Sequence, residues 1–282
     1  VDSDRDVAST IYFSAPWLPH IQNPLTAVKV VGRVLRLVSL PQGILVLTTT
    51  EPYLITGDMP ERFNVHRLES RYPALSKHGV CVYRGACIWT SNDGLAMFGG
   101  EGIQLLSSSV IDVEYWRQLE PVSMRLGEYR GVIYCNGSKG TLCYRYAYSD
   151  FYMRTMGVVS AFYQDDERDE LLYTAGGIVF SVGTSRRRLS YRWVGKPRIT
   201  AGVPYSSARV VHDGDGVELQ VYAGERDVLL DTVPDSRHVV KSQHPFRIKS
   251  TARYRDVCVG VRGGGSTRVR SFLVANDMRE IY

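Results

Sequence analysis

The 282-residue chain is poor in lysine, with 6 against 28 arginines, and it has no long apolar run. Runs such as Ile44-Leu45-Val46-Leu47 fall far short of the roughly 20 residues that cross a bilayer as a helix, which excludes a helical membrane protein. Helical periodicity is almost absent. The five cysteines, Cys81, Cys87, Cys135, Cys143 and Cys258, are odd in number and show no close-paired spacing, which argues against a zinc site and a disulfide framework. They sit in apolar, strand-like runs and read as buried free thiols of a reducing compartment. None of the six histidines (His20, His66, His78, His212, His238, His244) lies at metal-ligand spacing from another. No G-x-S-x-G elbow, phosphate loop or basic nucleic-acid tail is present.

What remains is a chain with 44% hydrophobic, 22% charged and 11% aromatic residues and a net charge of +5. That mix is too apolar for disorder, and the length suits one large domain or two ordinary ones. Arginine in such excess suits bidentate contacts and interfaces, although genomic base composition is the simpler account. The chain begins at Val1 with no charged-then-apolar leader, so a processed product or a fragment is expected.

Short β-branched or aromatic runs alternate with turns rich in Gly, Asn, Asp and Ser. Hairpins start at Ile44, Ala86, Val132, Leu171, Val217 and Val257, in steps of 42, 46, 39, 46 and 40. A period of about 40 to 50 residues with several short strands is the signature of propeller blades. The expected fold is therefore all-β: one propeller of about six blades over residues 1–282, with Ile11-Tyr12-Phe13 closing the ring against the C-terminus. The alternative is propeller blades over 1–197 followed by a β-sandwich over 198–282, with the boundary near Trp193-Val194-Gly195-Lys196-Pro197 and Gly202-Val203-Pro204. One helix is predicted between Asp112 and Glu120. Asp112 caps it, Trp116 faces inward and Pro121 stops it.

Four charged or polar segments invite a chemical reading. Asp213-Gly214-Asp215-Gly216 resembles part of a calcium loop but lacks its later ligands, so it reads as a hairpin turn. The acidic run Asp165 to Glu170 and the basic run Arg186-Arg187-Arg188 are complementary in sign, and solvated loops are the simpler account. Ser91-Asn92-Asp93-Gly94-Leu95-Ala96-Met97-Phe98 resembles the sialidase Asp-box with one spacer missing. The residues assign no catalytic, cofactor-binding or metal-binding position and imply no cofactor.

A collinear set of segments carries a family resemblance. Thr48-Thr49-Thr50-Glu51-Pro52-Tyr53-Leu54-Ile55-Thr56-Gly57 resembles a "T-x-x-x-P-Y-x-x-T-G" segment of phage tail structural proteins. In the same order follow Ala74-Leu75-Ser76-Lys77, Trp89 to Leu95, Ile103-Gln104-Leu105-Leu106 and Tyr115 to Pro121. Pro245-Phe246-Arg247-Ile248 and Val274 to Ile281 resemble the closing segments. The group is the tail nozzle (tail tubular protein B-like) family of short-tailed phages, whose members are usually longer.

The resemblance implies a non-enzymatic virion component carrying a β-propeller. Such a protein is made in the host cytoplasm and assembles as a homo-oligomeric ring at the distal tail. Its implied partners are other tail proteins and, in contact, the host cell surface, with no membrane insertion. DNA passes through only in transit, so few Lys or Arg are expected to face the channel and the Arg excess is expected at subunit contacts. Eighteen Tyr and four Trp agree with interfaces. The alternative is a carbohydrate-binding or carbohydrate-cleaving propeller module of a phage tail. A host-type scaffold propeller ranks last, because the Trp-Asp and Gly-His repeat signatures are missing.

Overall fold

The computed structural model describes residues 8–15, 18–22, 24–154, 156–165, 167–183, 190–195, 198–199, 205–223, 233–248 and 256–281. The chain is all-β, with one α-helix among the described residues. It divides into two compact units, Val1–Thr184 and Ser185–Tyr282.

The first unit is a series of antiparallel meanders. Sheet one runs through Val34–Leu40, Gly43–Thr48, Tyr53–Thr56 and Asn64–Arg67 in chain order. Sheet two contains Val80–Tyr83, Ala86–Ser91, Gly94–Phe98 and Ile103–Leu105. Sheet three contains Arg125–Tyr129, Val132–Gly137, Gly140–Arg145 and Asp150–Arg154. Sheet four has three strands, Ala161–Asp165, Glu170–Ala175 and Ile178–Ser181. Ile44, Ala86, Val132 and Leu171 all fall on the second strand of their sheet, so this part of the sequence period is a structural repeat.

The pleat explains why the sheets stack. Successive side chains of a strand point to opposite faces. In sheet two, Cys87, Trp89, Ala96 and Phe98 share one core with Leu45 and Leu47 of sheet one. The intervening Ile88, Leu95 and Met97 share another with Leu126, Ile133, Leu142 and Tyr144 of sheet three. Sheet three repeats the arrangement, sending Tyr134 and Cys143 toward Leu171 and Val182 beside sheet four. Strands buried on both faces read as continuous apolar runs, which is how these runs look in the sequence.

Buried polar side chains pin the segments that lead from one sheet to the next. Trp89 Nε1 donates to the Tyr72 carbonyl (2.9 Å) between sheets one and two. Trp116 Nε1 donates to the Ser91 carbonyl (2.8 Å) between sheets two and three. Between sheets three and four, Asn136 donates from Nδ2 to the Gly157 carbonyl (3.0 Å) and accepts at Oδ1 from the Val159 N–H (2.8 Å). The helix Val113–Gln118 belongs to the second of these connections. Asp112 caps it by accepting from the Glu114 N–H at 2.8 Å, and Glu120 leaves it in a left-handed conformation before Pro121.

The second unit holds two antiparallel sheets. One has Tyr191–Val194, Asp256–Gly263, Val217–Ala223 and Ser236–Val240 in spatial order, with Arg198–Ile199 also paired to Asp256–Gly263. The other has Phe246–Arg247, Ser207–Asp213 and Arg268–Ala275. Ala208 and Val210 of the second sheet share a core with Val217, Leu219, Val221, Val257, Val259 and Val261 of the first, as in a sandwich.

Three expectations need correction. Val217 and Val257 do not begin two further blades: their strands are hydrogen-bonded neighbours in one sheet, with Val217 opposite Gly263 and Ala223 opposite Val257. A spacing near 40 residues matches the blade period there because the chain leaves this sheet for the other and returns. The N-terminal strand does not pair with the C-terminus. Ala8–Ile11 pairs with Val28–Val31, and Ile11 and Val30 cover Val46, Tyr53 and Ile55 on the free face of sheet one. Among the described residues no strand pairing closes the meanders into a ring. Asp213-Gly214-Asp215-Gly216 is not a hairpin turn, because Ser207–Asp213 and Val217–Ala223 lie in different sheets.

Trp116 lies in the core between sheets two and three and holds their connection, so Trp116→Ala is expected to destabilise the protein by about 3–5 kcal/mol. Trp116→Phe, which keeps most of the packing, should lose only about 1 kcal/mol beyond the missing ring volume. Denaturant titration followed by circular dichroism checks both.

Candidate interaction surfaces

The groups that carry charge or reactivity in the sequence are mostly used internally. Cys87, Cys135, Cys143 and Cys258 are buried and Cys81 is half-buried, all as free thiols. Burial pushes the Cys87 and Cys143 thiols up to about 12 and the Cys135 thiol higher still, so these are inert packing groups. Among the described residues no three His, Cys, Asp or Glu side chains gather as a metal site. His212 is buried in the second unit with neither ring nitrogen hydrogen-bonded.

Asp213 of the calcium-like tetrapeptide accepts from Arg270 Nε (2.9 Å), and Asp215 accepts from Ser266 Oγ (3.2 Å). Asp213 therefore holds the strand Arg268–Ala275 and Asp215 the loop that leads to it. The Asp-box-like turn serves the helix. Ser91 Oγ donates to the Gly94 carbonyl (2.8 Å), and Asp93 pairs with Arg117 (2.8 Å). Gly94 has φ +153°, and a Cβ there would lie 1.9 Å from Ser107 Oγ, which accepts the Leu95 N–H. Arg186-Arg187-Arg188 and Asp166 lie outside the described residues, as do Lys196-Pro197 and Gly202-Val203-Pro204 of the expected boundary. Asp169 of the acidic run pairs with Arg130 of sheet three at 3.5 Å.

Chain direction sorts the remaining features to the two ends of the meander series. In an antiparallel meander the turns after strands one and three share an end, and the turn after strand two lies at the other. The pinned connections occupy the second end. At the first end, sheets two and three carry the same hairpin turn, Tyr83-Arg84-Gly85 and Tyr129-Arg130-Gly131. Arg84 and Arg130 adopt left-handed φ of +49° and +51°, which lay each guanidinium over the preceding ring, at 5.2 Å and 5.0 Å. Sequence reading missed this pair because each Tyr-Arg-Gly looks like an ordinary turn; the recurrence 46 residues apart was the available signal.

The two turns are joined through the third. Tyr83 meets Tyr146 edge to face at 5.2 Å, and the Tyr146 N–H donates to the Gly131 carbonyl. Two residues on, Tyr148 is 72% exposed, with the Arg145 guanidinium 4.7 Å from its ring centre. Asp150 holds Arg145 through both carboxylate oxygens. Glu128 accepts the Gly131 N–H at 2.7 Å, and partial burial raises its carboxyl above the usual range, with Asp169 adding to the rise and Arg84 opposing it.

Two further surfaces are open, one apolar and one mixed. On sheet four, Ala161, Tyr163, Leu172, Thr174 and Val179 share the face turned away from sheet three, and Tyr163 and Val179 are 66% and 61% exposed. On the N-terminal hairpin, Thr10, Lys29 and Val31 share the face turned away from sheet one, with Val31 exposed and the exposed Tyr12 following directly in the chain.

No family model matches the chain, and no curated protein matches it. The solved structures to which the chain is similar include the following two. One is PorZ, a bacterial surface component of the type-IX secretion system of Porphyromonas gingivalis, at 13% identity and a TM-score of 0.39 over 54% of this chain. The other is the extracellular domain of the putative hybrid two component system BT4673 of B. thetaiotaomicron, at 9% identity and a TM-score of 0.37 over 77% of this chain. The chain spans 21% and 32% of those proteins. Likenesses of that size bear on neither partner nor activity.

Glu128 supplies a pH test. Its folded carboxyl is raised, so the stability that its proton brings is complete below the ordinary glutamate range and is lost as pH rises through the folded value. Glu128→Gln keeps the acceptor for Gly131 and removes that loss. The variant should match the parent in mild acid and exceed it in melting temperature at neutral pH, as read by thermal melts across pH.

Proposed function

We propose that the chain is a structural, non-enzymatic component of a bacteriophage tail, acting in a ring of identical copies of the nozzle type through which DNA leaves. The observation that carries this reading is the pair of unlike open faces in the meander unit. A sheet stacked into a series needs a neighbour on each side. Sheets two and three have both, whereas sheet four keeps an apolar face in solvent and the Ala8–Ile11/Val28–Val31 pair keeps a mixed one with Thr10, Lys29 and Val31. Two different open faces on one chain suit a heterologous, head-to-tail contact, which identical copies satisfy by closing a ring.

Charge supports the pairing. The sheet-four hairpin turn carries Glu167 and Glu170 beside Asp165 and Asp169, which Arg168 and Arg130 neutralise, while the Ala8–Ile11/Val28–Val31 end carries exposed Lys29 and Arg33. The collinear resemblance from Thr48 to Pro121 supplies the tail context. Assembly in the virion follows synthesis in the host cytoplasm, with other tail proteins as neighbours.

Tyr163→Arg combined with Val179→Arg changes exposed positions only, so the fold should hold within about 0.5 kcal/mol per site. Light scattering after size exclusion should show the parent as an oligomer and the double variant as a folded monomer. A parent that stays monomeric at high concentration contradicts the ring. Immunogold microscopy of the phage particles, with antibody against this chain, should label the distal tail, and unlabelled virions from cells that express the protein contradict the tail assignment.

A further inference from the structure

At the turn end of sheets two and three, Tyr83, Tyr129 and Tyr146 pack against the cores, whereas the arginines and Tyr148 are not used by stacking. Arg84 and Arg130 occupy left-handed positions that glycine or asparagine fill most easily, so a side chain with a Cβ is strained at each. Nothing in the cores requires arginine there. The strained backbone instead holds two guanidiniums over Tyr83 and Tyr129, next to Tyr146, Tyr148 and the Arg145–Asp150 pair.

We propose that this Arg–Tyr ridge is a binding surface for a neutral, hydroxyl-rich carbohydrate. The inference does not rest on the tail reading. Charge weighs against a polyanion: at the turns Arg130 and Arg145 are ion-paired with Asp169 and Asp150, and the Glu128 carboxyl lies in the field of Arg84. A polyphosphate needs a row of uncompensated cations that release its counterions, and two of the three turn arginines are already neutralised. A sugar ring needs what the ridge has. Tyr148 presents a mostly open ring for the apolar C–H face of a pyranose, and Arg145 beside it is already held in place by Asp150. The guanidinium donates and the carboxylate accepts, so such a pair spans adjacent hydroxyls, which do both. Tyr152, 5.7 Å from the same guanidinium and part-exposed, extends the platform along the outer strand of sheet three. The 46-residue recurrence places two like Arg-over-Tyr units side by side, which fits a chain of repeating sugars rather than a single one.

The test is saturable binding of short glucose, galactose, mannose and N-acetylglucosamine oligomers to the whole chain. It is read by calorimetry and saturation-transfer NMR beside a matched uronate oligomer and single-stranded DNA. At least one neutral oligomer should bind and the two polyanions should not. Tyr148→Ala and Arg84→Gly should each weaken that binding about tenfold. Arg84→Gly relieves the left-handed strain, so its melting temperature should stay level or rise, which separates loss of binding from loss of fold. The proposal is overturned if no neutral oligomer saturates, if a polyanion binds in preference, or if both variants bind like the parent.

Discussion

A β-sheet with apolar side chains on both faces has no stable existence alone, and this constraint governs the N-terminal unit. In sheet two, alternate residues of one strand enter two different cores, with Trp89 on one side and Ile88 on the other. Each sheet is thereby both wall and filling for its neighbours, and the order of sheets in space follows their order in the chain. The series has no natural end. At sheet four the terminal face remains apolar, and Tyr163 and Val179 stay in solvent because no further sheet covers them as sheet three covers Ile88.

Stacking alone leaves the spacing of the sheets loose, and buried polar side chains supply what apolar contact lacks. Trp89 and Asn136 hold the backbone of a connecting segment by directional bonds, and Trp116, on a connecting helix, bonds the backbone of the strand Ala86–Ser91. Left unpaired, those buried groups would be costly, so each bond selects one course for the connection. The Asp-box-like turn is explained the same way: it presents the Ser91 carbonyl to Trp116 and Asp93 to Arg117. Residues that resemble a functional signature are here the fastening of a helix.

The two ends of the series differ in consequence. The end that carries the connections is fastened by those buried bonds. The other holds tight turns whose side chains need bond nothing beneath them, and the stacked Arg–Tyr pairs gather there. Of the charged segments legible in the sequence, the described part of the acidic run forms such a turn, where Asp169 meets Arg130. The calcium-like tetrapeptide belongs to the second unit, where its carboxylates are bound by Arg270 of the strand Arg268–Ala275 and by Ser266 of the loop before it.

The amino-acid sequence by itself determined what depends on neighbours in the chain. Alternating apolar runs and glycine-rich turns made the fold all-β, the period from Ile44 to Leu171 marked successive sheets, and Asp112 and Pro121 bounded the one helix. Pairing between distant segments was settled only by the tertiary structure. Val217 and Val257 repeat the blade spacing, yet their strands pair with each other in one sheet, because the chain leaves that sheet for the other at Phe246–Arg247 and returns. Likewise Ile11 found Val28 instead of the C-terminus, since a nearby partner closes the smaller loop. Spacing along a chain records strand length and turn length, and it is silent on which edge each strand will meet.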